Sequence, residues 1–68
     1  MNEYEVTERI LKVIRKANEP LTTAEIVKAV GLPRHIVIKR LFKLAAEGRI
    51  RGKQTKTRGS WIWWYGGE

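Results

Sequence analysis

The chain has 68 residues, no cysteine, 43% apolar and 31% charged residues, and a formal net charge of +7 at pH 7. Such a length makes one domain, burying about 60% of the surface that its unfolded form exposes. The composition argues against a disordered chain, a disulfide scaffold, a thiolate metal site and, since no apolar run approaches ~20 residues, a membrane span.

The first element opens at Asn2, which with Glu5 three residues later matches a capping box. Val6, Ile10, Val13, Ile14 and Ala17 then recur at the spacing of one helical face, which predicts a helix over 3–17. Tyr4 and Leu11, seven residues apart, form a second, weaker apolar stripe that could serve a dimer contact. Arg9, Lys12, Arg15 and Lys16 sit among glutamates and read as a solvated face. Glu19 precedes Pro20 and is biased toward extended backbone, which stops the helix.

Leu21 is an extended apolar residue, and Thr22-Thr23-Ala24-Glu25 repeats the capping-box pattern with Thr22 as the cap. Ile26, Val27 and Val30 supply the buried side of a helix over 23–30, and Gly31 closes it. Pro33 suits the first position of the next helix, predicted over 33–47 from Val37, Leu41 and Leu44 and ended by Gly48. Two helices joined by so short a turn cross steeply, as in a helix-turn-helix.

The period then changes. Arg49-Ile50-Arg51 and Ser60–Tyr65 alternate as strands do, around the polar, Gly-flanked stretch 52–59. This predicts a hairpin over 49–65 with a long basic tip.

The ordered set Pro20–Ile26, Gly31-Leu32-Pro33, Val37/Leu41/Leu44, Gly48-Arg49-Ile50 and an aromatic closing strand resembles the winged helix-turn-helix family of DNA-binding domains, as in small archaeal or viral regulators. The resemblance covers roughly 5–65, almost the whole chain. It implies an α+β fold of three helices and a small antiparallel sheet, with the third helix as recognition helix and the 52–59 loop as wing. It also implies that Trp63 lies under the third helix and that Trp64 points outward. The run from Pro20 to Tyr65 is similar, too, to the Zα domains that bind left-handed DNA. Those carry an Asn and a Tyr on the third helix where this chain has Ile38 and Phe42, and prolines where it has Ser60-Trp61. Without those polar contacts the likeness extends to the fold and not to the left-handed duplex.

Charge points to the same partner. Residues 1–33 hold five Lys/Arg and five Glu, whereas residues 34–68 hold nine Lys/Arg against Glu47 and Glu68, so the second half carries the whole +7. A segregated positive charge is the footprint of a polyanion-binding face. On a helical projection the side opposite Val37, Leu41 and Leu44 presents Arg34, His35, Ile38 and Lys39, the candidates for base edges in a major groove. Arg suits guanine O6/N7 and an apolar side chain suits a thymine methyl. Thr22, Thr23, Phe42, Lys43, Lys53, Lys56 and Arg58 are the candidates for phosphate and sugar. Arg40 is expected to pack its stem at the core edge with its head in water.

Trp61, Trp63 and Tyr65 share one face of the last strand, and Ile62 and Trp64 the other. Whichever face is buried, an aromatic is left over. Tyr4, Leu11, Trp61 and Trp64 are therefore candidates for homodimerisation or for stacking on unpaired bases.

An enzyme is not expected. There is one His, no Asp and no Cys, so no nucleophile–base pair can be assembled, and no cofactor or metal is implied. The expectation is a double-stranded DNA-binding transcriptional regulator without a small-molecule effector, with a homodimer as a candidate assembly. The alternative is a winged-helix protein- or RNA-interaction module working through the aromatic strand and the Ile38/Phe42 face. The opening stretch has neither a basic n-region nor an apolar h-region, so a cytoplasmic, nucleoid-associated location is expected. Abundant Lys, Arg and Glu lean toward a thermophile.

Overall fold

Both capping boxes form. In the computed structural model, which describes residues 1–56 and 59–66, Asn2 Oδ1 accepts from the Glu5 backbone N–H at 2.8 Å, and a Glu5 carboxylate oxygen accepts from the Asn2 N–H at 3.2 Å. Helix α1 follows over Glu3–Lys16 and ends when Ala17 turns extended. At the second box Thr22 Oγ1 accepts from Glu25 N–H at 3.1 Å and Glu25 Oε1 from Thr22 N–H at 2.8 Å. Helix α2 spans Thr23–Val30 and is closed by Gly31 in the left-handed region, φ 71°. A glycine adopts that conformation without a Cβ clash.

Helix α3 covers Arg34–Ala46, one residue inside the predicted span at each end. Pro33 is its N-cap and not its first helical residue: its ψ of 142° is extended, and its carbonyl accepts from the Ile36 and Val37 N–H groups. Gly48, φ 77°, turns the chain out of α3.

Three strands form one antiparallel sheet in the order β1-β3-β2: β1 Leu21–Thr22, β2 Arg51–Gln54 and β3 Trp61–Trp64. Leu21 pairs with Trp63 and Thr22 with Ile62, so the short extended step before α2 is an edge strand. The other edge corrects the sequence reading. Gly52, Lys53 and Gln54 belong to β2, not to the wing loop, and pair with Trp63, Ile62 and Trp61. Gly, Lys and Gln are poor strand formers; pairing with an aromatic strand overrides that preference. Gly52 also has a packing reason, since a Cβ there would overlap the Trp63 ring. Gln54 Nε2 donates to the Gly59 carbonyl at 2.9 Å, and Thr55 N–H to the Ser60 carbonyl, across the base of the wing turn.

The core lies between the helices and the inner sheet face. It holds Val6, Ile10, Leu11 and Ile14 of α1, Ile26 and Val30 of α2, Val37, Leu41 and Leu44 of α3, then Ile50 and Trp63. Leu11 is only 4% exposed, which removes it from any dimer surface. The turn at Gly48-Arg49 and Tyr65 line the wall beside it, so α1 buries a wider arc than its main stripe predicts. No described buried side-chain N or O lacks a hydrogen-bond partner. No described helix is long and apolar enough to cross a membrane. The element order and sheet topology are those of a winged helix-turn-helix: three helices and an antiparallel sheet whose second and third strands form the wing.

Candidate nucleic-acid interface

Helix α3 is held by three anchors. Val37 and Leu41 are fully buried and Leu44 is 1% exposed, which leaves the opposite side of the helix to solvent. Arg34, His35 and Lys39 are exposed there, and Ile38 is half-buried.

The predicted readers separate into two rows. Arg34, Ile38 and Phe42 line a groove between α3, the start of α2 and the wing, whose other walls are Thr22, Thr23, Ala24, Gly59, Ser60 and Trp61. His35 and Lys39 stand on the crest of α3, outside that groove. The lining is mixed: the Arg34 guanidinium, the Ser60 hydroxyl and the α2 N-terminus are polar, whereas Ile38, Phe42 and Trp61 make an apolar wall. Thr22 has its hydroxyl oxygen engaged in capping, but the hydroxyl hydrogen remains available to donate.

The aromatic wall is rigid. Trp61 stacks on Trp63, with ring centroids 5.4 Å apart and planes 20° apart. Phe42 meets both edge-on, at 5.0 and 5.1 Å. Such pairs add about 0.5–1.5 kcal/mol each beyond area burial. Phe42 is nevertheless 43% exposed, with its outer surface facing solvent.

Several expectations need correction. Thr23 is 7% exposed and its hydroxyl oxygen accepts from the Trp63 indole N–H, so it belongs to the core rather than to a phosphate site. Lys43 lies on the far flank of α3, in a groove with Glu3, Glu8 and Glu47 as well as Arg40 and Arg49, away from the groove of Arg34, Ile38 and Phe42. The four residues suggested as a dimer or stacking surface do not meet. Tyr4 is on that far flank, Leu11 is in the core, Trp61 is in the wing groove and Trp64 is on the other sheet face. Lys53 and Lys56 are exposed on β2 and in the wing turn. Arg58 lies outside the described residues.

No family model, curated protein or solved structure matches the chain. The site is therefore read from its own geometry.

The distribution of ion pairs sharpens that geometry. Arg40 approaches Glu3 at 3.7 Å, its side chain only 14% exposed, and Arg49 approaches Glu8 at 4.0 Å. Arg9 donates to the Val30 carbonyl at 3.3 Å, at the C-terminal end of α2 where a cation is favoured. The acids of α1 thus offset cations on the back of the molecule. Among the described residues, Arg34, Lys39, Arg51, Lys53 and Lys56 make no ion pair within 4.0 Å, and neither do Lys12, Arg15, Lys16, Lys28 and Lys43. Sequence reasoning had no access to these pairings, because Glu3 and Glu8 carry no signal of what α3 and the following turn bring to them. It also missed Ser60, although a hydroxyl between Gly59 and the aromatic strand was a usable cue. The described residues contain no group of three or more His, Cys, Asp or Glu that could hold a metal ion.

Proposed function

We propose that the chain is a duplex-DNA-binding domain that serves transcriptional control, with α3 in the major groove and the wing on the phosphates of the same site. A helix about 10–12 Å across with its side chains fits a major groove about 12 Å wide. Arg34, His35, Ile38 and Lys39 face the base edges, with Arg34 on guanine and Ile38 on a thymine methyl. Lys53, Lys56 and Arg58 hold phosphates, and Thr22 and Ser60 supply neutral donors. Thr23 and Lys43 drop out of this set.

The observation that carries the reading is the groove between α3, the α2 N-terminus and the wing. A duplex that receives a helix in one groove and a hairpin beside it must pass one sugar–phosphate strand between them. Alternating phosphate and deoxyribose is matched by walls that are polar at Thr22 and Ser60 and apolar at Phe42 and Trp61, while Arg34 and Ile38 on the α3 wall reach past the strand to the base edges. The charge distribution supports it, since the acid-balanced cations lie on the α1 side. A cytoplasmic, nucleoid-associated location goes with this reading.

Titration of a labelled random duplex at several salt concentrations tests it. Neutralising about five phosphates gives a slope of log K against log[salt] near −4 to −5. A slope near zero sinks the proposal. One observation favours a second reading: Phe42 keeps nearly half of its surface exposed on a rigid aromatic wall, as a protein- or RNA-docking module would. Tight capture of an acidic peptide or a structured RNA, with weak duplex affinity, selects that reading instead.

A further inference from the structure

Strand alternation sends Trp61 and Trp63 to the inner face of the sheet and Ile62 and Trp64 to the outer one. The register then fixes the company of Trp64. Arg51 is its cross-strand partner and Lys53 is the partner of Ile62, so all four side chains share the outer face. Arg51 and Lys53 are exposed on an edge strand, and Trp64 is half-buried.

The indole is held in place while remaining open to solvent. One groove beside it is walled by Ile62, Tyr65, Pro20 and the end of α1. A second, beside β2, is walled by Ile50, Gly52 and Arg51. The Arg51 stem passes against Gly66, where a Cβ would meet its methylenes, so its guanidinium is kept beside the terminal aromatic residues. Arg15 lies 5.8 Å over the Tyr65 ring and shares the first groove with Glu19. With one cation and one acid lining that groove, Arg51 and Lys53 set the sign of the face.

We propose that this outer face, centred on Trp64 with Arg51 opposite it and Lys53 two residues along the same edge strand, is a second nucleic-acid site that takes an unpaired strand. One base stacks on the indole and the flanking phosphates sit on the two cations. Every base offers a π-face, so the site is tolerant of sequence. It is separable from the duplex reading for α3, since it is centred on the opposite face of the sheet, shares only Lys53 with that reading, and uses none of Arg34, Ile38 or Phe42.

Fluorescence anisotropy of labelled twelve-nucleotide oligothymidylate and oligouridylate, beside a labelled duplex, tests the site. Trp64→Leu keeps an apolar side chain but removes the ring, and weakens binding of the single strands about tenfold while leaving duplex affinity within twofold. Trp64→Phe retains most of the affinity. Arg51→Gln with Lys53→Gln, both on exposed positions, flattens the single-strand salt slope by about one to two. Arg34→Ala weakens the duplex only. An unchanged single-strand affinity in Trp64→Leu overturns the proposal, as does an unchanged salt slope in the double Gln variant, which stands even if the Trp64 variant folds poorly. Equal loss of both probes in Arg34→Ala also overturns it, because a single site then explains all binding. A dimer in sedimentation equilibrium that Trp64→Leu dissolves assigns the face to a second copy and overturns it as well.

Discussion

The Trp63 indole N–H donates to the Thr23 hydroxyl at 2.9 Å, joining positions 40 apart in sequence inside the core. The bond ties the central strand of the sheet to the first residue of α2. It therefore fixes where the helix-turn-helix sits relative to the wing. Trp63 is 1% exposed, so its one polar atom needs this partner. Thr23→Val keeps the shape and removes the acceptor. Leaving a buried donor unsatisfied costs about 1–3 kcal/mol, read as a lower urea midpoint. Duplex affinity under native conditions stays unchanged. A weakened duplex with normal stability would instead return Thr23 to the phosphate contacts.

Gly52 carries a second consequence of Trp63. A methyl there would overlap the indole ring, and the ring is walled in by the core. Gly52→Ala is therefore expected to destabilise by about 1–3 kcal/mol, despite the usual gain from replacing a strand glycine. The loss appears as a fall in Tm of roughly 4–8 °C per kcal/mol for a domain of this size. A stabilised Gly52→Ala would show that the sheet can shift away from the ring.

Thr22 has two roles that substitution separates. Thr22→Ala removes the cap of α2 and costs about 1 kcal/mol, whereas Thr22→Ser retains it. Both stability by chemical denaturation and duplex affinity should fall in the Ala variant and be restored in the Ser variant. Affinity that stays at the wild-type value in Thr22→Ala confines Thr22 to capping.

Arg34 and Lys56 are expected to fail in different ways. Arg34→Ala removes a base contact, costs about 1–3 kcal/mol on a preferred site and relaxes preference at one position. Lys56→Ala weakens every duplex alike and reduces the salt slope by about 1. Competition binding with a randomised duplex library distinguishes them, and identical behaviour of the two variants removes direct readout from α3.

Arg40 and Glu3 test how much an ion pair on the back of the molecule contributes. The Glu3 side chain is 81% exposed, so Glu3→Gln should change stability by no more than about 1 kcal/mol. Arg40→Ala should cost more, because the largely covered Arg40 stem loses its packing. Arg40→Met, which keeps the stem, should recover most of the difference in thermal melts. Equal effects of Glu3→Gln and Arg40→Ala would assign the stability to charge alone.

By itself the sequence determined the helices, their caps and the helix-turn-helix order. Capping boxes, the Gly31 stop and 3.6-residue periodicity act within a few residues, and all are written locally. The anchors Val37, Leu41 and Leu44 were legible for the same reason, and they decide which side of α3 faces outward. The extent of β2 was not legible, because Gly52-Lys53-Gln54 form a strand only when Trp61–Trp64 lie beside them. Nor were the roles of Thr23, Lys43 and Leu11. A threonine at a helix start looks the same whether its hydroxyl meets solvent or an indole 40 residues away. A lysine on the exposed side of a helix does not announce which acids α1 places opposite it. The resemblance had already implied that Trp63 is the buried tryptophan, as it is, whereas the tertiary structure alone decided which cations meet an acid and which faces remain positive. Those properties depend on distances between segments far apart in the chain, and no local pattern encodes them.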